Sequence, residues 1–464
     1  MNNQFGKDLT TGSIPKHLIQ LALPILVGNL VSTGYSIINA IWVGRLLGKD
    51  AVGAVAVSFP VFLAMVAICS GATLATSILI SKAYGAKDRA TIQKIVNNSW
   101  AIAIVVILIV TIGGLLLSKT MLRLLGTPEE IMQLATGYLK ISVMSFAGLY
   151  LSYLISAVLR GIGDTVVPLI FIIISTVINA VLDPLLITGV GSIPRLGLNG
   201  AALASLISSG AATILGLIYV KHKYKKEPIN PSGFLFERKT IMEILKIGVP
   251  SFVQQMLVSM GYAFITIFVV RFSAASIAAF GIANRLDSIV AMPAIAMMMA
   301  ASTLTAQNIG AGRLERIKGI FKWGIIINIP VIAAISVLCV SFPETIMRIF
   351  VDEVDVIQTG IEYLRIVGVG YLFMIIFYVS NGIINGAGKA ISIMVISFIS
   401  LCVIRIPLAG LLSHTSMGIR GIWLAIVISF AVTTIISLWY YFSGRWNKDA
   451  IMSKKSKQRQ IVAE

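Results

Sequence analysis

This chain is short of charge. Asp, Glu, Lys and Arg make up 12% of its 464 residues, about half of the roughly 25% found in soluble domains. A water-facing globule needs that charge on its surface, so an ordinary soluble fold is excluded. Cysteine is scarce as well. Cys69, Cys339 and Cys402 each sit inside an apolar run and read as small buried hydrophobes. Their spacing offers neither a metal motif nor a disulfide framework. The histidines, His17, His222 and His414, are too scattered for a metal centre. No GxxxxGK[ST] string occurs, which argues against ATP-driven transport by this chain. No polar segment is long enough for a soluble catalytic domain, so neither an enzyme nor a bound cofactor is expected. The start, MNNQFGKDLTTGSIPKHL, is polar and lacks a small-residue cleavage site behind a short apolar core. It predicts no cleaved signal peptide.

What is present is apolar length. Hydrophobic residues make up 57% of the chain, and mean hydropathy is +0.93. Residues 51–81, 95–118, 196–220, 288–312 and 421–444 carry no charge at all. About 20 apolar residues cross a bilayer as a helix. The apolar runs predict spans at 17–43, 52–81, 95–118, 131–159, 166–189, 197–220, 242–270, 276–305, 320–343, 357–384, 390–414 and 419–444. The expected fold class is therefore an all-α integral membrane protein with 12 transmembrane helices. The long polar interruption KHKYKKEPINPSGFLFERK divides it into six helices on each side. The implied organisation is an N-terminal segment 1–16, a six-helix lobe 17–220, a linker 221–239, a second lobe 240–445 and a basic tail 446–464.

The net charge is +18. In a soluble protein that excess suggests nucleic acid. Here an even number of spans puts both termini and the even-numbered loops on one side. That side receives most of the 37 Lys and Arg, including Lys221, Lys223, Lys225, Lys226, Arg313, Arg316 and the tail cluster Lys454, Lys455, Lys457 and Arg459. Cytoplasmic loops collect positive charge, so both termini are expected in the cytoplasm, in a multi-pass plasma (inner) membrane protein. Anionic lipid headgroups account for the basic excess, and no nucleic-acid partner is needed.

The two halves repeat. ALPILVGNLVSTGY (22–35) resembles GVPSFVQQMLVSMGY (248–262), with Pro24 facing Pro250. YGAKDR (84–89) matches IGAGRLER (309–316), and LRGIGD (159–164) matches INGAGK (384–389). LDPLLITG (182–189) lies over RIPLAGLL (405–412), and GLNGAALA (197–204) over GIRGIWLA (418–425). Five pairs in one order at nearly one offset are a duplication. Repeats with an even number of spans enter from the same side, so they are parallel and related by a pseudo-two-fold axis along the membrane normal, one plan used by transporters.

The residues then resemble a known family. The marks are LALPILVGNL and YSIINAIWVGRLLG in the first span, GAKDR after the second, LRGIGDT after the fourth, NAVLDPLLI in the fifth, GLNGAALAS entering the sixth and AQNIGAGR after the eighth. Together they resemble the multidrug and toxic compound extrusion (MATE) transporters over roughly residues 12–445. The resemblance implies two six-helix lobes and export of amphipathic, drug-like organic cations driven by an inward Na⁺ or H⁺ gradient; the expected reading is a secondary active antiporter working by alternating access, as a monomer in the bilayer. One departure is informative. Family members with a polar site in the first lobe usually carry an aspartate where this chain has Asn39, while the fifth-span partner is present as Asp183. The other acidic site of the family, in the seventh and tenth spans, has no acid here.

Asp183 is the outstanding chemical group. It ends an uncharged stretch, 165–182, and precedes Pro184. An acid inside a membrane costs at least ~2.5 kcal/mol on insertion scales, and such residues are kept where they bind ions or protons; the competing role is to bracket the helix break at Pro184. Asn179 is one turn earlier on the same face and either ligates Na⁺ beside Asp183 or serves as interhelical hydrogen-bond glue. Asn39 and Tyr35 are also one turn apart. Asn39 cannot titrate but can ligate a cation or bond the carboxylate. The resemblance adds Ser205 to the cation- or proton-binding set, and Tyr35 and Tyr138 to the substrate cavity.

Other groups stay open. Arg285 and Asp287 cannot face each other on one helix and are expected to find interhelical partners. Arg405 reverses the expected sign near the repeat position of Asp183, pairing with a carbonyl or with an acid from another helix. Met297 and Met298, in the run 291–299, suit an adaptable substrate cavity or else lipid or core. Trp42, Trp100, Trp323, Trp439 and Trp446 are expected as interfacial anchors. Arg285 and Arg405 also keep an alternative alive, a flippase for a lipid-linked oligosaccharide.

Overall fold

The structure, a computed structural model, describes residues 5–189, 191, 194–231 and 233–447. The tail cluster from Lys454 to Arg459 lies outside the described residues. Among the described residues every regular element is helical. Twelve helices are long and apolar enough to span a membrane. They are α1 (Ile14–Leu47), α2 (Lys49–Gly85), α3 (Arg89–Leu124), α4 (Glu129–Gly161), α5 (Val166–Thr188), α6 (Leu198–Lys223), α7 (Arg238–Val269), α8 (Ala274–Gly310), α9 (Arg316–Ser341), α10 (Val354–Gly386), α11 (Ala390–Ser413) and α12 (Ile419–Phe442). All twelve expected spans coincide with these, with ends displaced by a few residues. A helix satisfies its own backbone, which hydrocarbon cannot. Leu108, Ile109, Leu116, Val337, Leu411 and Ile435 are each more than half exposed, an apolar surface suited to lipid tails.

The duplication is written into the backbone. Lys87 and Gly312 hold φ of 57° and 72° after α2 and α8. Gly163 and Gly388 hold 85° and 79° after α4 and α10, and Gly197 and Gly418 hold 57° and 54° before α6 and α12. Each pair occupies matched positions of the two repeats. Left-handed backbone is costly for residues with a side chain, so glycine at five of these six positions follows from the turn. Lys87 is the exception.

Two compact units form. The first holds the described residues up to Asp8 and Val27–Gly248; the second holds Leu9–Leu26 and the described residues from Val249 onward. The expected lobes, 17–220 and 240–445, were divided at the polar linker, but the units divide inside α1 and α7. Packing gives the reason. Leu9, Leu18, Leu21 and Ala22 are buried among Ala296, Met297, Ala300 and Ala301 of α8 and Val379 and Ile383 of α10. The start of α7 is instead held in the first unit. Glu237, just before it, donates its backbone N–H to Asn98 Oδ1 at 2.8 Å and pairs with Lys94 at 3.3 Å.

Within each unit, small residues let backbones approach, as in other membrane bundles. In the first, a Cβ on Gly148 would lie 2.7 Å from Ser209 Oγ, where Thr213 of α6 donates to the Gly148 carbonyl at 2.8 Å. In the second, Cβ atoms on Gly382 and Gly386 would each lie 2.5 Å from an α8 carbonyl, those of Met298 and Ser302. Two expectations are corrected here. Trp100 is 8% exposed within the first core, and Trp446 is 7% exposed, stacked on Tyr441; neither is an interfacial anchor. Trp439 is 57% exposed, with Arg445 5.1 Å over its ring.

Candidate functional site

The site is built on α5 in the first unit. Asp183 is 0% exposed and Asn179, one turn before it, is 8% exposed. A proline cannot donate to the residue four before it, so Pro184 frees the Ala180 carbonyl between these two side chains. Tyr35 of α1 donates its hydroxyl to Asp183 Oδ2 at 2.5 Å. Asn179 Nδ2 donates to Ser205 Oγ of α6 at 3.3 Å, and Ser205 donates to the Ala201 carbonyl at 3.2 Å. Ser205 also lies beside Tyr35, and Tyr138 of α4 lies close to both Tyr35 and Asp183. Four helices thus converge on one carboxylate.

The bonds that are missing matter as much. Asp183 Oδ1, Asn179 Oδ1 and Asn39 Oδ1 are buried oxygens with no hydrogen-bond partner among the described residues. Buried polar atoms are normally satisfied. On α5 a free carboxylate oxygen and a free amide oxygen one turn away can serve a hard cation, which takes oxygen ligands, and the carboxylate can equally take a proton. Asn39 lies one turn beyond Tyr35 on α1, but no hydrogen bond joins it to Asp183 among the described residues. The residues present therefore fit Na⁺ or H⁺.

The methionines are placed elsewhere. Met297 is 3% exposed in the core cluster with Leu18 and Leu21. Met298 is half-buried, its carbonyl against Gly382. Met297 thus packs against α1.

A second polar cluster occupies the second unit. Asp287 of α8, 4% exposed, accepts from Tyr363 at 2.5 Å on Oδ2 and from Tyr371 at 2.6 Å on Oδ1. Its expected interhelical partners are therefore these two tyrosines, eight residues apart and so on one face of α10. Sequence reasoning missed them; the signal was that spacing opposite a lone acid. Arg405 of α11, 6% exposed, donates Nε to Ser429 Oγ of α12 at 2.7 Å and lies 4.8 Å over the Phe430 ring. Its direct partners are a hydroxyl and a ring; Asp287 of α8, an acid from another helix as expected, is near enough to act on it electrostatically but not within ion-pair distance. Arg285 is exposed and makes no ion pair among the described residues.

Twelve spanning helices in two six-helix repeats, with a buried acid at the end of α5, define an integral membrane protein of the two-repeat transporter class. A family model, MatE, matches the chain twice, over residues 24–185 and 250–411, once per repeat. The chain is 35% identical over 454 residues to the probable multidrug resistance protein YpnP of Bacillus subtilis, covering 97% of this chain and 99% of that protein. It is 27% identical to the probable multidrug resistance protein NorM of Thermotoga maritima over 95% of each chain. A solved structure described as an outward-facing multidrug resistance MATE family transporter superposes with a TM-score of 0.88 at 22% identity, covering 96% of this chain and 98% of that one. At that identity it shows the fold alone. The chain belongs to the MatE family of multidrug efflux transporters.

Proposed function

We propose that the protein is a secondary active exporter of drug-like organic cations, driven by inward movement of Na⁺ or H⁺ through the Asp183 cluster. The observation that carries the reading is the free Oδ1 of a fully buried carboxylate, with the free amide oxygen of Asn179 one helical turn away on α5. The relatives' names, multidrug resistance proteins, support the substrate class and do not favour the flippase alternative. The positive-inside charge pattern supports both termini being cytoplasmic in the plasma membrane, and the chain acts as a monomer.

The cycle follows from exclusive occupancy. A ligand shifts a conformational equilibrium only by its differential affinity for the two states. Na⁺ or H⁺ bound from outside neutralises Asp183 and removes the charge that holds an organic cation, so drug leaves outward. The unloaded carboxylate, exposed inward, then recruits the next cation. Tyr35 holds Oδ2 through both phases and Asn179 orients beside Oδ1.

The test uses purified protein in liposomes with a fluorescent cationic dye, a Na⁺ gradient or a pH gradient imposed in separate runs, for wild type and Asp183→Asn. One gradient should drive dye efflux in wild type and neither in the variant. Equal movement in both proteins would make Asp183 structural.

A further inference from the structure

Arg405 has no place in the export of a simple cation. Its cost is high, because a buried guanidinium in a membrane is expensive unless compensated. Compensation here is partial. Nε is bonded to Ser429 and the Phe430 ring lies beneath the group, but among the described residues no carboxylate stands within ion-pair distance. The neighbouring acid, Asp287, has both oxygens occupied by the hydroxyls of Tyr363 and Tyr371. Tyr262, Tyr363 and Tyr378 are the other titratable groups around Arg405. None of these supplies an anion in contact with Nη1 or Nη2.

The backbone is also arranged for this residue. Ile399–Arg405 forms a π-helical turn ending at Arg405, with the Ile406 N–H bonded five residues back to Leu401. Pro407 cannot donate to Val403 and its ring would strike that carbonyl, so the helix widens just before it. Such turns are rare and concentrate at functional sites. This one swings Arg405 onto Phe430 and Ser429, leaving a planar fork of donors backed by a ring. That fork matches a carboxylate or phosphate bidentately.

We propose that Arg405, positioned by Ser429, Phe430 and the π-turn, is a binding site for the anionic group of the transported molecule, so that zwitterions bearing a carboxylate or phosphate are preferred over pure cations. The proposal rests on the export reading: within the second unit, Arg405 discriminates among exported molecules by their negative charge.

The experiment compares binding of two dyes to detergent-purified full-length protein by fluorescence anisotropy. One is rhodamine B, which carries a free benzoate. The other is its ethyl ester, in which that charge is removed and the cationic ring system is kept. Wild type should bind the acid about tenfold or more tightly than the ester, and sodium benzoate should compete with the acid. In Arg405→Gln the ratio should fall to near one, and in Arg405→Lys it should be intermediate, since charge is kept but the fork is lost. A wild-type ratio near one, or a ratio unchanged in Arg405→Gln, overturns the proposal. The wild-type comparison stands even where a variant fails to fold. Ester efflux under an ion gradient is scored separately: efflux without acid preference leaves the export reading intact and removes only this inference.

Discussion

Tyr35 and Asp183, on α1 and α5, share a 2.5 Å hydrogen bond in which the phenol donates to Oδ2, while Oδ1 of the same carboxylate is left without a partner. One oxygen is thereby fixed and the other presented. Removing the phenol by Tyr35→Phe should loosen the carboxylate and lower thermal stability in detergent. The loss should be smaller in an Asp183→Asn background, giving a coupling energy of about 0.6–1.7 kcal/mol in a double-mutant cycle, the range for interhelical bonds in membranes. Additive melting shifts would show that the bond is not formed.

Asp287 is predicted to hold structure and not to couple. Both oxygens accept from phenols, and an asparagine would turn one acceptor into a donor facing a donor. Asp287→Asn should cost about 1–3 kcal/mol and lower the melting temperature. Gradient-driven dye efflux by the folded fraction should persist. Loss of efflux with unchanged melting would assign coupling to the second unit instead.

The α8–α10 contact should be intolerant of added atoms. Gly382→Ala and Gly386→Ala would each drive a Cβ to 2.5 Å from a backbone carbonyl, which cannot rotate away. A cost of about 1–3 kcal/mol and a reduced folded yield are expected. Gly210→Ala in α6, with nothing within 4 Å of its added atom, should be neutral or slightly stabilising. Size-exclusion profiles of the three variants check the contrast.

Asp88, outside the membrane spans, caps α3 by accepting from the Thr91 hydroxyl at 2.6 Å and the Thr91 N–H at 3.0 Å. Those bonds hold its carboxyl below the usual range. A depressed folded pKa means that the stability is present at neutral pH and is lost as pH falls through that value. Asp88→Ala should therefore cost about 0.5–2 kcal/mol at neutral pH, and wild type and variant should converge as pH falls through the lowered value. Melting curves across pH read this; a difference that persists at low pH would refute the capping account.

The twelve spans and the duplication were legible because hydrocarbon imposes length and because matched turns need matched backbone, as Gly163 and Gly388 show. Asp183 and Asn179 stood out in the sequence as polar groups one helical turn apart in an apolar run, while Ser205 was pointed to by the family resemblance alone. The Asp287 bonds were not, since eight-residue tyrosine spacing says nothing about which helix faces it. Nor was the passage of α1 from one unit to the other: Leu18 and Leu21 read as lipid-facing or core alike until α8 is placed beneath them. Met297 stayed open for the same reason, an adaptable side chain being equally suited to a cavity and to a core. The π-turn before Arg405 was hidden because proline predicts a disturbance without its form.

The central claim is that drug and coupling ion compete for one carboxylate, and displacement measures it directly. Saturating dye is added to purified protein in weakly buffered or Na⁺-loaded solution, and released H⁺ or Na⁺ is counted. The account predicts release of one of these ions by wild type and none by Asp183→Asn. Dye binding without release, or equal release from the variant, would contradict it.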